Sequence, residues 1–236
     1  MAEDLERAKA AAARRAVERY VRPGQTLALG TGTTATHAVR ALAERFPDRP
    51  FDCVSSSRAT EELAHSLGFS VRPLREDDRF DLMLDGADEV TPELALTKGG
   101  GGALLREKLL AGLSREVVIL VDPSKLVAHL GERAPIPVEV VPFARPVLAH
   151  RFGRDGYRVR LRLAADGRPF TTDNGNEVLD LAPVEPIRDP AATAAVLERT
   201  TGVVETGIFV GLASVVLVGH SDGRVDERPA APHRTL

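Results

Sequence analysis

Between Asp85 and Lys108 the chain reads Asp-Gly-Ala-Asp-Glu-Val-Thr-Pro-Glu-Leu-Ala-Leu-Thr-Lys-Gly-Gly-Gly-Gly-Ala-Leu-Leu-Arg-Glu-Lys. Two carboxylates, Asp85 and Asp88, follow an apolar run and flank Gly86 and Ala87. Lys98 precedes four glycines, Gly99 to Gly102, and Glu107 falls where a helix should begin. Acids, a cation and bare backbone N–H groups are the parts that bind a small anion and move its protons. Carboxylates can accept hydrogen bonds from sugar hydroxyls, and clustered aspartates could alternatively hold a metal. Helix capping and turn formation would also explain Asp88. Lys98 can stabilise charge developing on an oxygen, and a carboxylate such as Glu107 can take a proton from carbon. On local composition alone, Arg106-Glu107-Lys108 reads instead as a solvated helix face, and the four glycines as a hinge.

Two further stretches carry chemistry. Gly30-Thr31-Gly32-Thr33-Thr34-Ala35 lies between an apolar strand and a helix. There glycines allow close backbone approach, and a helix N-terminus attracts phosphate. The spacing also fits a dinucleotide fingerprint, but Ser55-Ser56-Ser57 stands where that fingerprint needs an acid. No Gly-Lys-Ser/Thr follows, so it is not a P-loop. A tight turn without ligand is the plainer alternative to a phosphate of a small molecule. Val121-Asp122-Pro123-Ser124-Lys125 places a second cation, Lys125, after another apolar strand.

The elements that must position these residues alternate. Helices are predicted over 4–20, 34–46 and 58–67, with strands at 26–29, 51–54, 69–72, 80–84 and 116–121, indicating βαβ units and a parallel sheet. Near residue 130 the pattern changes. Ala134 to Pro142 is Pro-punctuated, 158–163 alternates with period two, and Asp173-Asn174-Gly175-Asn176 is a turn signal before a strand at 177–181. A helix follows at 189–199. Strands at 207–210 and 214–218 would return to the first domain, and 229–236 reads as a frayed tail. The expected fold is α/β: an open parallel-sheet, Rossmann-like domain over 1–129 and 206–236, with a smaller inserted α+β domain over 130–205.

Composition narrows the function. The 236 residues carry a formal charge of −3, 43% hydrophobic and 4% aromatic residues, and no tryptophan. With no basic block and few stacking rings, nucleic acid and membrane are not expected as partners. No apolar run reaches the roughly 18 residues of a span. The single Cys53 excludes an internal disulfide and reads as a small buried apolar residue, which makes cytoplasmic residence the default. The six histidines show no metal-ligand spacing, so no metal or other cofactor is expected. Only four of the 31 basic residues are lysines, Lys9, Lys98, Lys108 and Lys125.

Taken in order, Gly30-Thr-Gly-Thr-Thr34, Asp85-Gly-Ala-Asp-Glu89, Lys98-Gly-Gly-Gly with Arg106-Glu107-Lys108, and Asp122-Pro-Ser-Lys125 resemble ribose-5-phosphate isomerase of the A type. So do Pro137-Val-Glu-Val-Val-Pro142, Thr172-Asp-Asn-Gly-Asn176 and Gly202-Val-Val-Glu-Thr-Gly207, so the resemblance spans nearly the whole chain. Thr33 stands where that family usually has Ser, and Gly102 where Ala is common. The resemblance implies a metal-independent interconversion of ribose 5-phosphate and ribulose 5-phosphate in the pentose phosphate pathway. It makes Glu107 the proton shuttle through an enediolate, with Lys98 and the glycine N–H groups stabilising the oxygen. Asp85 and Asp88 would hold sugar hydroxyls and assist ring opening. Thr31, Gly32, Thr33, Thr34, Asp85, Gly86, Ala87, Asp88, Lys98, Gly99, Gly100, Gly101 and Lys125 would bind substrate. A homodimer or homotetramer is implied as well. Two competing classes are a sugar-phosphate sensor of a transcription regulator and an acyl transferase with Glu107 as nucleophile. The first should bring a DNA-binding segment, yet one helix precedes the first strand; the second predicts a trappable acyl-glutamate.

Overall fold

A computed structural model describes residues 2–231. The elements run α1 (Ala2–Tyr20), β1 (Thr26–Leu29), α2 (Thr33–Arg45), β2 (Asp52–Ser55), α3 (Arg58–Ser66), β3 (Phe80–Gly86), β4 (Glu89–Val90), β5 (Leu96–Thr97), α4 (Leu104–Leu113) and β6 (Ser114–Val121). They continue with β7 (Ile136–Val140), α5 (Arg145–Arg154), β8 (Tyr157–Leu161), β9 (Glu177–Pro183), α6 (Pro190–Glu198), β10 (Val203–Thr206), β11 (Ile208–Phe209), β12 (Val215–Gly219) and β13 (Val225–Pro229). The contacts divide the chain into two compact units. Among the described residues, one comprises 2–86, 110–125 and 211–231, and the other 87–109 and 126–210.

The first unit is built on a six-stranded sheet in the order β13-β12-β6-β3-β1-β2. Five strands are parallel; β13 alone is antiparallel, paired with β12. Alternation sorts the side chains. Leu27, Leu29, Leu82, Leu84, Val118, Leu120 and Leu217 point to one face and pack with Ala12, Ala16, Ala38 and Leu42 of α1 and α2. Their neighbours Ala28, Met83, Ile119 and Val216 are equally buried, so these strands are apolar throughout, as parallel strands covered on both faces must be. Each such fully buried Leu or Val contributes about 1.5–3 kcal/mol. Ser57 caps α3, its side chain accepting from Thr60 N at 3.2 Å.

The second unit holds a four-stranded antiparallel sheet, β10-β7-β9-β8, and a three-stranded one, β11-β5-β4. Ile136, Val138, Val140, Leu179 and Leu181 form its core with Leu148 and Phe152 of α5 and Ala194 and Leu197 of α6. Asp189 caps α6 by accepting from Ala192 N at 2.9 Å, with Pro190 opening the helix.

Several sequence expectations are corrected. Residues 207–210 do not return to the parallel sheet: Ile208 and Phe209 pair with Thr97 and Leu96 in the second unit. Residues 87–109 and 126–129 also belong there: β4 and β5 pair within that three-stranded sheet, and Val90 of β4 bridges to Leu126. The expected strand 69–72 shrinks to one bridge between Val71 and Cys53. The strand predicted at 80–84 continues through Asp85 and Gly86. Pro229 of the expected tail lies in β13, and Ala230 N donates to Ser214 O at 2.9 Å; 232–236 lie outside the described residues.

Candidate active-site residues

In the first unit, the carboxyl ends of three adjacent parallel strands supply the candidate groups. β1 ends into Gly30 and the Thr31–Thr34 loop, β3 ends in Asp85-Gly86, and β6 leads through Asp122 to Lys125. This is where open α/β sheets place ligands. Asp85 is wholly buried, and its Oδ1 accepts from Gly86 N at 2.7 Å and Thr31 N at 3.1 Å. Those bonds require Gly30. A Cβ there would lie 2.1 Å from the Asp85 Cγ, so only hydrogen fits. Gly86 stands beside Thr34, whose Cβ would be 3.4 Å from a Cβ at 86.

The loop is braced from below. Thr31 Oγ1 and Ser56 Oγ are 2.6 Å apart, and Thr60 Oγ1 donates to Gly30 O at 2.8 Å. Ser56, Ser57 and Thr60 are buried. The serines therefore fix the turn that an acid would have served in a dinucleotide site. Gly32 and Thr33 are exposed, and α2 opens at Thr33 with no side-chain cap on its first turn. Lys9 reaches this loop from α1, with Nζ 3.0 Å from Thr33 Oγ1 and 2.8 Å from Glu6. Sequence reasoning did not include Lys9; its amphipathic helix carries no signal for a contact 24 residues away, beyond the scarcity of lysine. Asp122 is buried and accepts from Ser124 N at 2.8 Å, which shapes the one-turn helix Pro123–Lys125 and sets Lys125 at the end of β6.

In the second unit, Lys98 Nζ lies 3.2 Å from Glu107 Oε1, and the two residues are only 3% and 4% exposed. Glu107 is thus not on a solvated helix face. It sits in the first turns of α4, near the positive end of the helix dipole. Its flanking residues face elsewhere: Arg106 donates to Asn174 Oδ1 and Asp173 O, and Lys108 to Glu205 and Glu198. Lys98 follows β5 directly. Its N–H donates to Gly207 O at 2.9 Å, and its ammonium lies 5.6 Å from the centre of the buried Phe209 ring. Removing one partner of a buried ion pair costs about 3–5 kcal/mol, so Lys98 and Glu107 hold each other in place.

Asp88 is pinned at both ends, its N–H donating to Thr97 O at 2.7 Å and its Oδ2 accepting from Gly100 N at 2.8 Å. It caps no helix; it holds the glycine loop. Gly99 adopts φ +98° and lies against Leu104, a conformation that favours glycine. Glu89, buried, accepts from Thr97 Oγ1, Gly131 N, Arg133 N and Ala134 N, fixing the residue ahead of Lys98. Gly101 is exposed and Ala87 half-buried. Among the described residues, no group of three or more His, Cys, Asp or Glu could hold a metal ion, and no helix is long and apolar enough to cross a membrane.

Fold and side chains together define an α/β protein with a buried acid and a Gly/Thr loop at parallel strand ends in one unit, and a buried Lys–Glu pair beside a glycine loop in the other. The family model for ribose 5-phosphate isomerase A (phosphoriboisomerase A) matches residues 52–223, and the chain belongs to that family. A ribose-5-phosphate isomerase A of Chloroflexus aurantiacus is 48% identical over 218 residues, 91% of this chain and 90% of the relative. The ribose 5-phosphate isomerase of Plasmodium falciparum superposes with a TM-score of 0.91 at 33% identity, covering 95% of this chain and 99% of that one. A D-ribose-5-phosphate isomerase solved in complex with phospho-erythronic acid gives 0.91 at 32% identity, covering 96% and 99%.

Proposed function

We propose that this protein interconverts D-ribose 5-phosphate and D-ribulose 5-phosphate through an enediolate, with Glu107 as the base. The observation that carries this reading is the buried Lys98–Glu107 pair, 3.2 Å apart, at the start of α4. The Glu107 carboxylate takes the proton from C2 and returns it to C1, while a hydroxyl proton passes from O2 to O1. Lys98 and glycine-loop N–H groups stabilise the oxygen that becomes negative between the two transfers. Asp85 and Asp88 hold sugar hydroxyls and assist ring opening. The Thr31–Thr34 loop, with Lys9 and Lys125, takes the phosphate. No metal is needed for this sequence, because an ammonium supplies the charge stabilisation.

The same reading places the enzyme in the cytoplasm and in the pentose phosphate pathway, as a homodimer or homotetramer. Phe143, 95% exposed, and Val147, 72% exposed, are an apolar surface available to self-association. The test is turnover of ribose 5-phosphate by purified protein after dialysis against a chelator. Sustained production of ribulose 5-phosphate is expected. Binding without turnover would favour a sensor, and loss of activity restored only by a divalent cation would overturn the metal-free chemistry.

A further inference from the structure

Arg162 belongs to a period-two segment and, by sequence, lies on the wet face of its strand with Arg158 and Arg160. Its neighbour Arg160 is indeed exposed, its side chain 81% accessible, but the Arg162 side chain is only 15% accessible. The guanidinium is divided between two tasks. One edge, Nε and Nη2, forks onto the carboxylate of Asp180, itself 4% exposed. The other end, Nη1, donates both protons to successive carbonyls of the glycine loop, Gly99 O at 2.7 Å and Gly100 O at 3.0 Å. Phe170 lies against it, 6.0 Å from ring centre to guanidinium carbon.

These two bonds have a consequence on the far side of the loop. In a planar trans peptide the C=O and the N–H point in opposite directions. Drawing the Gly99 and Gly100 carbonyls onto one amino group therefore turns the Gly100 and Gly101 N–H groups away from it. The first of these already donates to Asp88 Oδ2 at 2.8 Å. One peptide is thus held at its oxygen by Arg162 and at its nitrogen by Asp88. The Gly100 N–H is thereby spent on the Asp88 carboxylate, and the Gly101 N–H is the next donor turned to the side away from Arg162. A cation on the carbonyls also polarises both peptides, which strengthens the donors opposite.

We propose that Arg162, itself fixed by Asp180, is the positioning residue that holds the glycine loop so that the Gly101 N–H, next to the Gly100 N–H that Asp88 takes, points toward the oxygen that becomes negative. The inference rests on the isomerase reading above. Arg162 acts through the loop, and its removal should lower kcat rather than substrate affinity. Lysine replaces it only in part, because the three donors of one ammonium cannot fork onto Asp180 and still bridge two carbonyls.

The test uses purified full-length protein with Arg162→Met, Arg162→Ala, Arg162→Lys and Asp180→Asn, assayed on ribose 5-phosphate, with circular dichroism to establish folding. Losing one oriented donor costs about 10²–10³ in kcat. Arg162→Met should therefore fall on the order of 100-fold in kcat, with KM within about threefold. Arg162→Lys and Asp180→Asn should show smaller falls, again in kcat. Millimolar guanidinium should restore part of the Arg162→Ala activity, where equal sodium chloride does not. The proposal is overturned by wild-type kcat in a folded Arg162→Met, by a loss confined to KM, or by failure of both Arg162→Lys and Asp180→Asn to fold. Wild-type protein without turnover would instead sink the isomerase reading itself.

Discussion

Gly30→Ala is a one-methyl change whose cost follows from the geometry. The added carbon would sit 2.1 Å from Asp85 Cγ and Oδ1 and 2.6 Å from Asp85 Cβ, where unbonded carbons need about 3.5 Å. Two relaxations are open. If the backbone yields, overpacking costs about 1–3 kcal/mol. If the carboxylate swings aside, it abandons the Gly86 and Thr31 N–H groups. Each hydrogen bond to a charged group contributes about 1.5–3 kcal/mol, so that route costs about 3–6 kcal/mol. At roughly 2–4 °C per kcal/mol for a chain of this size, either route lowers Tm, the second by on the order of 10 °C. Both displace Asp85 and the Thr loop, so kcat/KM should fall at least 100-fold. Thermal unfolding and the isomerase assay measure the two effects. A cycle with Asp85→Gly, which removes all three offending atoms, should show coupling of about 2 kcal/mol or more. Wild-type Tm and activity in Gly30→Ala would refute the reasoning.

Two further outcomes are expected. Lys9→Met should raise KM for ribose 5-phosphate and weaken inhibition by inorganic phosphate, each about 10–100-fold, with little change in kcat; unchanged values in steady-state kinetics would remove Lys9 from the phosphate site. Burial pushes the Cys53 thiol up to about 12, so the native protein at pH 8 should resist iodoacetamide and react only once unfolded. The sign for stability follows: Cys53 contributes below the unfolded value of about 8.5 and loses that contribution as pH rises toward 12.

Much of this was readable from residue types. Thr26–Leu29 and Phe80–Leu84 were legible as strands because apolar runs of that length, bounded by turn residues, have few other uses. Asp85, Lys98 and the glycines stood out because carboxylates and consecutive glycines are costly without a reason. Glu107 stood out as a carboxylate, but its burial did not, since its neighbours Arg106 and Lys108 are polar and their partners, Asn174 and Glu205, lie 68 and 97 residues away. Lys9 and Arg162 escaped for the same cause: period tells which face a residue occupies, not what folds over it. Ile208-Phe209 read as a strand, but alternation carries no information about which sheet receives it.

The most direct measurement is isomerisation of ribose 5-phosphate in deuterated water by wild-type protein and Glu107→Gln, followed by mass spectrometry and NMR of the sugar. The wild type should place solvent deuterium at the carbon that gains a proton. Glu107→Gln should lose both this incorporation and at least 10²–10⁴ of kcat, the share a general base supplies, with KM changed only modestly. Undiminished turnover and incorporation in Glu107→Gln would contradict the assignment of Glu107 as the base.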